Sequence, residues 1–148
     1  MDIKQRLTEA MKTAMKAKDA ARLSVIRMVR SAIKNSEIDK KTTLDDAGVI
    51  AVMATLVKQR RESAQMYRDN ERIDLAEKEE FEITVLQEFL PQQLSEQELR
   101  QLVEDTIAEL GATSMKDMGK VMKKVTAQTT GRADGRVVSE MVKSCLSA

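Results

Sequence analysis

Apolar residues recur along this chain at intervals of three and four, the spacing that lines one face of an α-helix, while period-two alternation of Val, Ile and Thr is absent. Asp2 stands as a cap before Ile3, Leu7, Ala10, Met11 and Ala14, and Asp19 stands likewise before Leu23, Val25, Ile26, Val29 and Ile33. Thr43, with Asp46 three residues on, resembles a capping box. It opens a third helix that buries Val49, Met53, Leu56 and Val57 and runs to about Asp69. A turn near Asn70 leads into a fourth, with Leu75, Ile83, Leu86, Phe89 and Leu90 on one face.

Pro91, the single proline, then stops the pattern, and Leu90-Pro-Gln-Gln-Leu-Ser95 is the one linker-like stretch. Ser95 with Glu98 forms a capping box for a fifth helix, whose inward residues are Leu99, Leu102, Val103, Ile107 and Leu110 and whose stop is Gly111. Ser114 with Asp117 repeats the device before Met115, Met118, Met122 and Val125. Asp134 opens a seventh helix, with Val138, Met141 and Cys145 inward. The pattern predicts an all-α protein. Residues 1–91 form a four-helix N-terminal domain of two helical hairpins, and residues 92–148 form a small three-helix C-terminal domain.

Composition narrows the chemistry. The chain has 148 residues, 42% hydrophobic and 33% charged, enough for a packed core. It has no histidine and one cysteine, Cys145, so an internal disulfide or a zinc constellation is not expected, and neither is a cofactor. No stretch approaches a membrane span, the N-terminus lacks the apolar core of a signal peptide, and the cytoplasm is the expected location. Oligomeric state is left open.

The net charge is +1, but its distribution is uneven. Residues 1–41 carry 11 Lys/Arg against 5 Asp/Glu and residues 111–148 carry 7 against 3, whereas residues 42–90 carry 6 against 11 and residues 91–110 carry 1 against 5. Two readings follow: basic and acidic helices pack side by side and cancel, or the two basic blocks build an anion-binding surface.

The C-terminal block is the more specific. Lys116, Lys120, Lys123 and Lys124 share the polar side of the sixth helix, and Arg132 and Arg136 flank Asp134. Gly119 lies within that helix at a cost of up to roughly 1 kcal/mol against alanine, so something is expected to approach it closely. Gly131 and Gly135 bracket a turn that needs a positive-φ residue. A secondary basic face is Arg27, Arg30 and Lys34 on the second helix, explained equally by an ordinary amphipathic surface or an RNA-facing ridge. With one Tyr and two Phe in the whole chain, base stacking is nearly ruled out. Any RNA bound is then read through its shape and backbone.

On the third and fourth helices Arg60 and Glu79 fall inside otherwise apolar stripes. A hairpin turning near Asn70 sets them opposite one another as an ion pair that fixes register. Glu82 beside them admits a second reading, a carboxylate site acting on a proton or a metal. Glu77 and Glu80 point away from the stripe, and no metal site is expected.

Several segments in order resemble the GatB/YqeY family over essentially the full chain. They are Val57-Lys-Gln-Arg-Arg-Glu-Ser63, Asp74-Leu75 followed by Glu79 and Glu82, Phe89-Leu-Pro-Gln-Gln-Leu-Ser95, Asp117-Met-Gly-Lys-Val-Met122 and Gly131-Arg-Ala-Asp-Gly135. The resemblance is strongest to the free-standing YqeY-like proteins. A similar module forms the tail of the much longer B subunit of aspartyl/glutamyl-tRNA amidotransferase. It implies a helical domain followed by a three-helix domain, and a link to tRNA-dependent amidation. There the tail grips the tRNA while the carbon–nitrogen ligase chemistry, with glutamine as amido donor, occurs in other domains. Those domains, a Gly-rich nucleotide loop and an amidase nucleophile constellation are absent here. Carried over residue by residue, the resemblance points to Gly119, Lys120, Gly131, Arg132 and Asp134.

The expected function is therefore a non-catalytic, tRNA-binding or amidotransferase-related accessory protein, with tRNA and a tRNA-processing or amidotransferase protein as partners. The alternatives are a protein–protein adapter that uses the Met/Gly-rich face of the sixth helix, and an enzyme acting on aminoacyl-tRNA through Arg60, Glu79 and Glu82.

Overall fold

The computed structural model describes residues 1–147 and contains seven α-helices: α1 Ile3–Lys16, α2 Ala20–Lys40, α3 Asp46–Asp69, α4 Ile73–Gln87, α5 Glu96–Leu110, α6 Met118–Thr129 and α7 Gly135–Ser147. A single 3₁₀ turn, Met115–Asp117, precedes α6, and no strand occurs among the described residues. The chain divides into two compact units, Met1–Leu90 and Pro91–Ala148.

In the first unit, Asp2 closes a full capping box with Gln5, and the Asp19 carboxylate accepts from the Arg22 N–H. Leu7, Ile26, Val29, Val49, Met53, Val57, Val85 and Leu86 form the centre of the core, and Leu44 from the α2–α3 connection joins its edge. The end of α4 is held from α1: the Arg6 guanidinium donates to the Glu88 carbonyl at 2.8 Å and lies 5.6 Å from the Phe89 ring centroid. A cation at the last carbonyls of a helix satisfies acceptors that have no partner within it.

Two expectations about this unit are corrected. The cap of α3 is Asp45, whose carboxylate accepts from the Gly48 N–H at 2.9 Å, and not the Thr43–Asp46 box. On α4 the buried positions are Ala76, Val85 and Leu86, with Leu75 and Ile83 only half-buried. The reason is that α4 packs against both α2 and α3, so its inner face is broader and turned away from the stripe a single partner would select.

The second unit has its own core of Leu99, Val103, Val121, Val125, Val138, Met141, Val142 and Leu146. Ser95 and Glu98 make the expected capping box, and Gly111 ends α5 in the left-handed conformation at φ 65°. Leu110 and Met115, expected inside, are exposed. Both sit where the chain reverses between α5 and α6, at the edge of the core, where the Met115 sulfur meets the Ser147 hydroxyl of α7 at 3.6 Å. Cys145 is half-buried.

Candidate nucleic-acid interface

Ser114 accepts from the Lys116 N–H and opens the 3₁₀ turn, and the Asp117 carboxylate reaches back to the Thr113 N–H at 3.0 Å. That backbone hydrogen bond, with a smaller one from Ser114 and the Lys120 charge, holds the Asp117 carboxyl below its ordinary pKa. The sixth helix therefore starts at Met118, later than the sequence pattern suggested. Gly119 is its second residue, and a Cβ built there would meet nothing within 4 Å. No described part of the chain approaches Gly119, so a crossing helix does not explain it: the glycine belongs to an exposed first turn, where missing side-chain contacts cost little.

The structure separates the C-terminal cations into two groups. Lys116, Lys120 and Lys123 are exposed; Lys120 and Lys123 lie about 60° apart on α6, and Lys116 stands in the 3₁₀ turn that leads into it, so the three form one lysine-bearing edge. Among the described residues, the one ion pair of these lysines is Lys120 to Asp117 at 4.0 Å, with the Lys120 side chain 74% exposed, a contact of little energetic weight. Arg136, in the first turn of α7, is exposed too. The other group is already engaged. Lys124 pairs with Glu109 of α5.

Arg132 is half-buried and donates from Nε to the Gln92 carbonyl at 3.1 Å. Its own carbonyl accepts from the Leu94 N–H at 2.8 Å, and the Gly131 carbonyl accepts from Gln93 Nε2 at 2.7 Å. Gly131 takes φ 78° to make this possible. The Gly131-Arg132 turn therefore clamps residues 92–94 onto the body of the second unit. The Asp134 carboxylate accepts from the Arg136 N–H at 3.2 Å and its carbonyl accepts from Val138, the geometry of a helix cap.

In the first unit, Arg27, Arg30 and Lys34 line an open groove of about 650 Å³ between α1 and α2. Its floor is Leu7, Met11 and Ile33. Lys4 also lines it, a residue that the sequence reading passed over although Lys4, Leu7, Thr8 and Met11 share one face of α1 at helical spacing. Lys4 is matched by Glu37, whose carboxyl is held below its ordinary pKa by that hydrogen bond first and by the Leu44 N–H second. The three cations of α2 have no ion pair among the described residues, and Arg30 reaches the Met11 sulfur at 2.9 Å.

The carboxylate site is arranged differently from expectation. Arg60 pairs with Glu82, Nε to Oε2 at 3.7 Å, and not with Glu79. Arg60 and Glu82 lie eleven residues on either side of Glu71, the left-handed residue at the hairpin tip (φ 61°), so the true centre of the turn is one residue later than Asn70. The two side chains are 16% and 20% exposed. Arg60 is also held by the Leu56 carbonyl at 3.3 Å, and its buried Nε has no hydrogen-bond partner. Among the described residues, no group of three or more His, Cys, Asp or Glu gathers where a metal could be held, and no helix is long and apolar enough to cross a membrane.

Comparison with known proteins follows the same division of the chain. Residues 4–146 match the family described as Yqey-like protein. The protein named altered inheritance of mitochondria protein 41, mitochondrial, of Vanderwaltozyma polyspora is 35% identical over 147 residues, covering 95% of this chain and 77% of that one. Its namesake in Lachancea thermotolerans is 32% identical, over 99% of this chain and 80% of its own length. That of Pyrenophora tritici-repentis is 28% identical, over 97% and 80%. The word mitochondrial in these names describes those proteins.

Proposed function

From the premise that the chain belongs to the YqeY-like family, we propose that it is a non-catalytic accessory module that grips the phosphate backbone of tRNA through the α6 ridge. The observation that supports this most is the Lys116–Lys120–Lys123 edge, three exposed lysines at and after the start of α6 whose one recorded ion pair, Lys120 to Asp117, is long and solvated. Arg136, in the first turn of α7, is a further exposed cation of the same unit. Lys124, Gly131 and Arg132 leave the binding set, because their polar groups hold the second unit together. Asp134 serves as a cap and meets no phosphate. A ridge of lysines without aromatic neighbours reads charge and spacing and not bases, so discrimination among tRNAs falls to a partner, for which an amidotransferase or another tRNA-processing protein is the proposed class.

The test is equilibrium binding to unfractionated tRNA, duplex DNA and an unrelated polyanion at several salt concentrations. Three or four neutralised phosphates make affinity fall by about 40- to 150-fold between about 50 and 200 mM salt. Preference for tRNA over the unrelated polyanion supports a nucleic-acid module; equal affinity for all three refutes it. The adapter reading keeps one supporting observation, the exposed Met115 beside the open Gly119, and predicts retrieval of a protein partner after nuclease treatment. We place the protein in the cytoplasm. An organelle interior, as in the names of its relatives, is the alternative that cell fractionation decides.

A further inference from the structure

The chain has 10 methionines, and their sulfurs meet different surroundings. Met53 is fully buried in the core of the first unit, whereas Met15 and Met66 are 50% and 65% exposed. Met11 belongs to neither class. It is half-buried on α1, lines the α1–α2 groove, and its sulfur accepts from Arg30 Nη1 at 2.9 Å. Among the described residues Arg30 has no ion pair, and the thioether is its hydrogen-bond partner. Arg60 meets the Met28 sulfur at 3.4 Å, but that guanidinium is committed to the Leu56 carbonyl and to Glu82.

A thioether is a weak acceptor, so an arginine with five N–H donors gains little from it. A sulfoxide oxygen is polar and a far stronger acceptor, and its hydrogen bond to a cation is charge-assisted. The contact between Arg30 and Met11 is therefore better matched to the oxidised side chain than to the reduced one. Both residues line the open groove of about 650 Å³, from which a molecule as small as a peroxide reaches their contact.

We propose that Met11 is a site of reversible oxidation by hydroperoxides, with Arg30 selecting one sulfoxide epimer and then holding its oxygen. A sulfur lone pair attacks one oxygen of hydrogen peroxide, and the O–O bond breaks. The departing oxygen takes the bonding pair as hydroxide and then the proton of the transferred hydroxyl. Thioether and peroxide become sulfoxide and water, sulfur losing the two electrons that peroxide gains. Of the two sulfur lone pairs, the Arg30 N–H occupies one. The other is free to attack, so oxygen is added from one side and one epimer forms in excess. Arg30 is exposed and flexible, and its guanidinium follows the new oxygen. Return to the thioether falls to the reductase specific for that epimer. This inference stands apart from the proposed tRNA grip, which uses other residues in the other unit.

The test is mild hydrogen peroxide treatment of the folded full-length protein, followed by tryptic digestion. The peptides are then reduced with each of the two stereospecific methionine sulfoxide reductases and weighed by mass spectrometry. Cleavage after Arg6 and Lys12 isolates Met11 in one peptide, and cleavage after Arg61 and Arg68 isolates Met66 in another. One Met11 epimer is expected in about fivefold excess, the bias a single weak hydrogen bond gives, and Met66 within about twofold of equality. Arg30→Ala is expected to bring Met11 within about twofold of equality as well. Arg27→Ala, at a groove residue that makes no hydrogen bond to the sulfur, is expected to keep the excess, with circular dichroism showing both variants folded. Equal epimers at wild-type Met11 overturn the proposal, and so does an excess that survives Arg30→Ala or is lost equally in Arg27→Ala. A Met11 that stays reduced until the buried Met53 is oxidised overturns it too, because the sulfur is then not reached in the folded protein.

Discussion

Replacing Glu82 with Gln and, separately, Glu79 with Gln distinguishes the observed hairpin register from the one its apolar stripes suggest. Arg60 and Glu82 approach to 3.7 Å with about a fifth or less of each side chain exposed. At an effective dielectric of about 20 their attraction is roughly 4 kcal/mol. Part of that only offsets the cost of withdrawing both groups from water. Removing one partner of a buried pair costs about 3–5 kcal/mol, and the residual exposure lowers the figure here to about 2. The Arg60 Nε, already without a hydrogen-bond partner, then loses the anion it is paired with.

For a unit of this size about 2 kcal/mol corresponds to a fall of roughly 8–16 °C in Tm. Tyr67 is the only tyrosine, the chain has no tryptophan, and Tyr67 lies on α3, so its fluorescence reports unfolding of the first unit alone. Urea titration followed at this residue should show the Glu82→Gln midpoint well below wild type, and Glu79→Gln within about 0.5 kcal/mol of it. Equal losses, or a larger loss for Glu79→Gln, would refute the assigned register.

Further outcomes follow from individual contacts. Because the folded chain holds the Glu37 carboxyl below its ordinary 4.5, its stabilising effect is full above that value and is lost as pH falls through the folded pKa. Glu37→Gln should therefore be less stable than wild type near neutrality, and the difference should shrink as pH falls below the carboxyl's ordinary value and vanish once the folded carboxyl is protonated, as read by Tyr67 fluorescence. The two glycines of the second unit should behave oppositely to substitution. Gly119→Ala, exposed on a helix with open space around it, should be neutral or stabilising by up to about 1 kcal/mol. Gly131→Ala, buried at φ 78°, should cost about 1–2 kcal/mol, measured by thermal denaturation followed by circular dichroism.

What could be read from the residues alone was what neighbouring residues decide. Asp2, Asp19, Ser95 and Gly111 act within a turn of their own helix, and each caps or stops the helix it marks. Errors arise where distant segments decide. The inner face of α4 is set by two packing partners and not one, and the hairpin register depends on a left-handed Glu71 that no composition rule singles out.

The candidate site divides along the same line. Helical spacing suffices to put Lys120 and Lys123 on one side of α6, but not to foresee that Lys116 lies in a 3₁₀ turn before it. That Lys124 is matched by Glu109, fifteen residues earlier, and that Arg132 holds the carbonyl of Gln92, forty residues earlier, follows only from tertiary packing. A glycine-bracketed turn with two arginines looks the same in sequence whether it faces a phosphate or clamps a linker.

The most direct test of the tRNA-gripping ridge is the slope of log affinity for tRNA against log salt concentration, measured for wild type and for the Lys116→Ala, Lys120→Ala, Lys123→Ala triple variant. Three lost phosphate contacts predict a slope shallower by about 2–3, with the helical signal of the second unit unchanged. A triple variant that binds tRNA with the wild-type slope and affinity would contradict the account.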